Sequence, residues 1–251
     1  MFHELKENAI LIADCHYSLE NREFFDFLIL LQNEIIKTNQ LILCGDIFDL
    51  LIYEIKDTIK KNSEIINLLN KLSKKIEIVY LEGNHDFNLK KIFPNMKIFK
   101  IHEQPVMFKF NSIFISISHG DIFSNLTYKL YTFLIRCRYV LIFLQMLDMF
   151  FLNNKIVKAI YKKLELKKRC FDIENFKNIV DKRVFKYLSF NKNIEYIIEG
   201  HFHQNQIFKY NNLIYQNLSA FDCNKSFFVV KSNQKDISFE EYKLRSFDVR
   251  R

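Results

Sequence analysis

The sequence predicts an α/β fold in which two sheets stack face to face, helices cover both outer faces, and a helical insert forms a lid over one end. Three observations predict it. Strand and helix alternate through about the first ninety residues. Short strands without helices between them follow, and recur in the tail. About eighty residues between His119 and Gly200 read as helix nearly throughout. The alternation implies a parallel sheet covered by helices, and the helix-free strands imply a second sheet built on hairpins, giving a four-layer α/β/β/α sandwich.

In order, residues 9–13 form an apolar strand, and 22–37 carry Phe24, Phe27, Leu28, Leu31 and Ile35 at helical spacing. Residues 41–44 are the next strand. A helix over 58–74, with Ile59, Ile65, Ile66, Leu69 and Leu72 on one face, leads to a strand at 76–81. Strands at 96–101, Val106–Phe110 and 113–119 follow, the last two joined by a turn at Asn111-Ser112. The tail repeats this pattern with strands at 205–210, Leu213–Asn217, 226–231 and 237–242, the first pair joined at Asn211-Asn212.

The insert is distinctive. Its first helix has a polar stripe of Lys129, Thr132 and Arg136, but residues 139–144 are apolar on every side. The apolar run reaches Leu152, interrupted by Gln145 and Asp148. That is shorter than the roughly twenty residues needed to span a bilayer. A basic segment follows, Lys155, Lys158, Lys162, Lys163, Lys167, Lys168 and Arg169, with Glu165 its only acid. A helical cap with a core face and a charged face explains this plainly. A greasy lid beside a cationic patch, suited to an amphiphile with an anionic head, explains the all-round apolar run better.

Composition bounds the rest. The 251 residues suffice for one core-bearing domain with an elaboration, taken as a single domain 1–251 containing a lid at 121–190. A net charge of +8 suggests an anionic partner. The basic residues cluster beside the lid rather than along a nucleic-acid reading motif, so no nucleic acid is expected, and no obligatory protein partner is evident. Five cysteines without a Cys-x-x-Cys pair argue against a disulfide framework, and buried free thiols in a reducing cytoplasm are expected. No signal peptide is evident in the sequence.

The chemistry concentrates where strands end. Leu41-Ile42-Leu43-Cys44-Gly45-Asp46-Ile47-Phe48-Asp49 delivers two carboxylates beyond a buried strand. Asp14-Cys15-His16, Gly83-Asn84-His85-Asp86, His119-Gly120 and Gly200-His201-Phe202-His203 close four other apolar segments in the same way. All four glycines of the chain, and five of its seven histidines, fall in these motifs. Asp, His and Asn bind borderline to hard divalent metals, and the carboxyl ends of sheet strands are where open α/β folds place their sites. Two cations about 3.5–4 Å apart can clamp a phosphoryl oxygen and activate water, given one bridging carboxylate. Asp46 is the natural bridge. Asp14 and His16 can reach one metal, and Asn84, His119 and one of His201 or His203 the other. Taken singly, each residue has a plainer explanation: Asp49 a helix cap, Asn84 a turn residue, His119 a core histidine. The ordered set does not.

Asp-x-His, Gly-Asp-x-x-Asp, Gly-Asn-His-Asp, His-Gly and Gly-His-x-His, in this order, resemble the calcineurin-like metallophosphoesterases. The resemblance runs from Asp14 to His203. It implies one metal held by Asp14, His16, Asp46 and His203, and a second held by Asp46, Asn84, His119 and His201. It also implies that His85 stands over the phosphate or leaving group, oriented by Asp49. Within that family the chain is most similar to the UDP-2,3-diacylglucosamine hydrolases of lipid A synthesis, through its size, its helical insert, and Tyr128 and Arg136 following His119-Gly120-Asp121. Some of those enzymes carry Arg where this chain has His85. The likeness implies two divalent metals, normally Mn2+, and cleavage at the α-phosphorus to give UMP and a diacylated sugar 1-phosphate. Tyr139, Phe143 and Met146 are then expected to receive acyl chains, and Lys162, Lys167 or Lys168 to meet the diphosphate. Peripheral attachment to the anionic cytoplasmic face of the inner membrane is the matching expectation. A phosphoesterase acting on a soluble nucleotide, phosphodiester or phosphoprotein is the alternative.

Overall fold

The computed structural model describes residues 2–123, 125–151, 155–233 and 236–247. One six-stranded sheet runs in the order Asp236–Lys243, Ser226–Asn233, Ile10–Ile12, Gln40–Leu43, Glu77–Leu81, Lys97–Phe99. Its last four strands are parallel, and the first two form an antiparallel hairpin along one side. The other six-stranded sheet runs His3–Glu4, Val106–Phe110, Ile113–Ser118, Tyr196–Glu199, Leu213–Asn217, Gln206–Tyr210, with Ile113–Ser118, Tyr196–Glu199 and Leu213–Asn217 parallel. Both hairpins expected at Asn111 and at Asn211-Asn212 are present.

The period-two alternation of strand side chains divides the core into layers. Leu11, Ile42, Val79 and Leu81 of the first sheet pack against Phe108, Ile115, Ile117 and Ile198 of the second. On the outer side of the first sheet, Ile10, Ile12, Leu41 and Leu43 meet Phe27, Leu28, Ile65 and Leu69 of the helices Glu23–Gln32 and Ser63–Leu72. On the outer side of the second, Ile197 and Tyr215 meet Val180, Val184 and Tyr187 of the helix Phe176–Phe190. The result is the four-layer sandwich.

Two helices differ from expectation. The first stops at Gln32, because Glu34 turns left-handed (φ 58°) and the Ile35 N–H closes back onto the Leu30 carbonyl, leaving Ile35 exposed. The helix expected over 58–74 is two, Lys56–Lys61 and Ser63–Leu72. They break at Asn62, whose amide donates to the carbonyls of Leu50 and Thr58.

The lid comprises Leu126–Arg136, Arg138–Phe151 and Lys155–Glu165, with an irregular return through 166–175. Leu152, where the apolar run was expected to end, lies outside the described residues. Asp148 is the one acid within the run, and its carboxylate accepts the N–H groups of Ile156 (2.8 Å) and Val157 (3.0 Å). It thereby satisfies orphan donors at the start of the next helix. Leu141 and Val157 seat the lid on Leu50, Ile52, Ile55 and Phe87. No single helix among the described residues is long and apolar enough to cross a membrane. Leu126–Arg136 and Arg138–Phe151 reach that length and hydropathy only together, across a 67° bend.

The cysteine expectation is corrected. Cys170 and Cys223, 53 residues apart, form a disulfide with a Cα–Cα distance of 5.7 Å, while Cys15 and Cys44 are buried free thiols and Cys137 is a half-buried one. The spacing of the two in sequence held no sign of the pairing, which the folded return of the lid creates.

Candidate metal centre

Five parallel strands deliver the candidate ligands to one rim. Asp14 and His16 follow Ile10–Ile12, Asp46 follows Gln40–Leu43, Asn84 and His85 follow Glu77–Leu81, His119 follows Ile113–Ser118, and His201 and His203 follow Tyr196–Glu199. The backbone is left-handed at Asp14, His16, Asp46, His201 and His203, with φ of 52°, 44°, 51°, 65° and 61°. Such conformations cost about 1–3 kcal/mol each and persist only where the surroundings hold them.

The surroundings do hold them. Asp86, fully buried, accepts five hydrogen bonds: from the N–H groups of Asp46 (3.1 Å), Ile47 (2.6 Å), Phe48 (3.1 Å) and Gly83 (3.1 Å), and from the Tyr80 hydroxyl (2.5 Å). It ties the Gly-Asp loop to the Gly-Asn-His-Asp loop. Glycine is required where those loops meet, since a Cβ on Gly83 would stand 2.2 Å from Asp46 Oδ1 and one on Gly45 2.5 Å from the His119 ring. Across the rim, buried Glu199 accepts from Arg183, Tyr187 and Tyr215, while Arg183 also donates to the Gly120 carbonyl (2.6 Å). This anchors the two histidine loops to the Phe176–Phe190 helix.

The side chains converge in three clusters, Asp14/His16/His203, His16/Asp46/His85 and Asp46/His119/His201, whose ligand atoms lie within 4.8 Å of one another in each. Asp46 is shared by two of them. Its Oδ2 lies 3.6 Å from His119 Nε2 and 3.9 Å from His85 Nε2, and Asn84 Oδ1 is 3.4 Å from His119 Nε2. Asp14 Oδ1 stands 3.2 Å from His203 Nε2. His119 Nδ1 donates to the Cys44 carbonyl (3.0 Å) and His203 Nδ1 to that of Arg169 (2.8 Å), which turns each Nε2 inward as metal ligation requires.

The electrostatics suit cations. Burial pushes the Asp46 carboxyl up, but His119, His85 and His16 outweigh it and hold it below the usual carboxylate range. Asp14 shows the same balance, with burial overcome by His203. Burial, reinforced by His119, lowers His201 to about 4, keeping it in the neutral form that binds metal. His16 Nδ1 is buried without a hydrogen-bond partner among the described residues. A donor set of carboxylates and imidazoles, with the Asn84 amide oxygen beside them, fits two divalent cations.

His85 is oriented by Asp49, as expected, but through the main chain. Its Nδ1 donates to the main-chain carbonyl of Asp49 (2.8 Å), not to the carboxylate. That carboxylate faces His16 Nδ1 (3.6 Å) and Arg169 (2.5 Å) instead. Arg169 and Asp86 are the site residues that sequence reasoning left without a role.

A family model described as calcineurin-like phosphoesterase matches residues 8–205, which spans every strand-end motif of the rim. The chain belongs to the calcineurin-like phosphoesterases. It is a metal-dependent hydrolase. Among solved structures it is similar to a phosphoesterase, Yfce, from E. coli (12% identity, 94% of this chain and 99% of that one, TM-score 0.42). It is also similar to an archaeal phosphodiesterase (12%, 94% and 99%, 0.45) and to Vps29 from Entamoeba histolytica (12%, 94% and 92%, 0.44). Comparison with curated proteins gives no match. The family match, rather than these distant likenesses, identifies the chain.

Of the eight expected substrate residues, five line one of three cavities and three do not. Lys162 and Lys167 line a cavity of about 1000 Å³ that opens on Asn84 and His85, and Lys167 Nζ lies 3.5 Å from His85 Nε2. Tyr128 and Arg136 line a second cavity of about 600 Å³ on the other side of the first lid helix, where Arg136 pairs with Glu82 (3.4 Å) and donates to the Gly83 carbonyl (2.7 Å). Met146 lines a third, beside Tyr53 and Lys56, while Lys168 is exposed. Tyr139 and Phe143 are 82% and 61% exposed and turn away from the centre. The face of their helix that meets the large cavity is Leu141, Leu144, Gln145 and Asp148. On a helix apolar all round, periodicity did not select that face.

Proposed function

We propose that this phosphoesterase hydrolyses the pyrophosphate of UDP-2,3-diacylglucosamine at the α-phosphorus, giving UMP and 2,3-diacylglucosamine 1-phosphate, with Mn2+ as its metal. The observation that carries the reading is the large cavity. One end is Asn84 and His85 at the metal centre, the walls are Ile52, Ile135, Leu141, Leu144, Val157 and Ile160, and Lys162, Lys163 and Lys167 stand among them. A site that joins phosphate chemistry to an apolar chamber fits an amphiphile whose phosphates lie next to its acyl chains.

Asp14, His16, Asp46 and His203 would hold one cation, and Asp46, Asn84, His119 and His201 the other. The pair supplies Lewis acidity and an activated water when bound. His85, fixed through Nδ1 to Asp49, presents Nε2 to the phosphoryl oxygens and holds or delivers a proton there as the bond to the leaving group breaks. Lys167 adds positive charge beside it.

Peripheral attachment to an anionic membrane face belongs to the same proposal. Leu126, Phe133, Phe150 and Phe151 stand well exposed on a lid that also carries Lys129, Arg138, Lys155 and Lys158. The test is incubation of the purified protein, beside an Asp46→Asn control, with UDP-2,3-diacylglucosamine and Mn2+, following UMP by mass spectrometry. Release by the first alone supports the reading. An intact lipid with cleavage of bis-p-nitrophenyl phosphate overturns it in favour of a soluble phosphodiester.

A further inference from the structure

The irregular return of the lid, residues 166–175, meets the sandwich beside the metal centre, and Arg169 stands at the junction. Its guanidinium spans two carboxylates, Nη2 donating to Asp49 Oδ1 at 2.5 Å and Nη1 to Asp222 Oδ2 at 3.2 Å. Its carbonyl accepts the Nδ1–H of His203 at 2.8 Å. Each partner leads to a candidate ligand of the same metal. Asp49 Oδ1 lies 3.6 Å from His16 Nδ1, the Asp222 N–H donates to the Asp14 carbonyl at 3.1 Å, and His203 is itself a ligand. With both carboxylates engaged, the guanidinium is committed to the protein rather than to a substrate phosphate.

A covalent link joins the same two segments. Cys170 follows Arg169, Cys223 follows Asp222, and the two are bonded. The pair is open to reagents, since Cys170 is exposed, whereas Cys15 and Cys44 are buried.

We propose that Arg169 is a positioning residue for the metal held by Asp14, His16 and His203, and that the Cys170–Cys223 bridge keeps it in place, so that metal retention depends on the oxidation state of that pair. The inference rests on the metal-site part of the reading above and is independent of the lipid. Opening the bridge breaks one S–S bond. The sulfurs take two electrons from a reductant, here a phosphine, and a proton each, and the phosphine leaves as its oxide with an oxygen from water. The return segment then keeps its ion pairs and its hydrogen bonds with Gln204 and His203 but loses the covalent tie next to Arg169, which holds His203 and Asp49 less firmly. Outer partners of metal ligands change affinity by about 10- to 100-fold when removed.

The test is calorimetric titration with Mn2+ of oxidised wild type, phosphine-reduced wild type, Arg169→Met, Arg169→Lys and the Cys170→Ser/Cys223→Ser double variant, with bis-p-nitrophenyl phosphate hydrolysis followed across Mn2+ concentrations. Arg169→Met is expected to weaken Mn2+ binding about 10- to 100-fold. Arg169→Lys falls between it and wild type, because an ammonium cannot span both carboxylates. Reduction and the double cysteine variant weaken binding alike, by less than Arg169→Met. In every case excess Mn2+ restores turnover, which a general folding defect would not allow. Wild-type affinity in both Arg169 variants overturns the positioning role, as does loss that added Mn2+ leaves unrepaired. Equal binding by oxidised and reduced protein overturns the part played by the bridge. If Arg169→Met does not fold, Arg169→Lys decides. Wild type that binds no Mn2+ overturns the metal site itself and this inference with it.

Discussion

The rim of the sandwich and the lid above it are built on opposite principles. At the rim, Asp14, His16, Asp46 and His119 are buried, and the loops that carry Asp46, Asn84, His119 and His201 are tied through a buried carboxylate, Asp86 on one side and Glu199 on the other. The lid exposes Leu126, Phe133, Tyr139, Phe150 and Phe151, and it is fastened by the apolar seat of Leu141 and Val157, by Arg136 and Arg169, and by the Cys170–Cys223 bridge. Under the proposed function, the chemistry resides in a preorganised frame and substrate choice in the apolar cover. A rigid frame lowers the reorganisation needed at the moment of reaction.

The comparison breaks first, and hardest, if the rim tolerates change. Asp46→Asn is expected to lower hydrolysis of every phosphodiester by at least about 10³-fold, since it removes the shared carboxylate and several kcal/mol of charge stabilisation with it. A steady-state assay on bis-p-nitrophenyl phosphate checks this. Glu199→Gln comes next. It leaves Arg183 buried without its counter-charge, which is expected to cost about 3–5 kcal/mol of folding stability, read from urea unfolding.

The lid should respond selectively. Leu144→Glu places a carboxylate in the wall of the large cavity and is expected to depress lipid hydrolysis at least about tenfold, while bis-p-nitrophenyl phosphate turnover stays within about twofold. Phe143→Glu, one residue away but exposed, is expected to leave both turnovers unchanged and to lower cosedimentation with anionic vesicles. The smallest effect belongs to Asp148→Ala, about 1–2 kcal/mol from lost helix-start hydrogen bonds, seen as faster amide exchange over Lys155–Glu165 with the sandwich unchanged.

The two regions also differ in how far the sequence revealed them. The layers followed from alternation of strand and helix, and the convergence of the candidate metal ligands from strand ends at which glycine, Asp, His and Asn recur in order. These are local signals, and local chemistry causes them. Asp86 was visible inside Gly-Asn-His-Asp, yet three of its five donors, the N–H groups of Asp46, Ile47 and Phe48, come from a loop that meets it only after folding. The Cys170–Cys223 pair and the clamp of Arg169 on Asp49 and Asp222 have the same non-local origin. On the lid, an all-round apolar helix carries no periodic mark of its inner face, so Tyr139 and Phe143 were read as lining where Leu141 and Leu144 line.

The most direct test runs wild type, Asp46→Asn and Leu144→Glu side by side on UDP-2,3-diacylglucosamine and on bis-p-nitrophenyl phosphate with Mn2+. A fixed catalytic rim under a substrate-selecting lid predicts that Asp46→Asn loses both activities and Leu144→Glu loses only the lipid one. Equal loss of both activities in Leu144→Glu, or full retention of both, would contradict the division of labour between rim and lid.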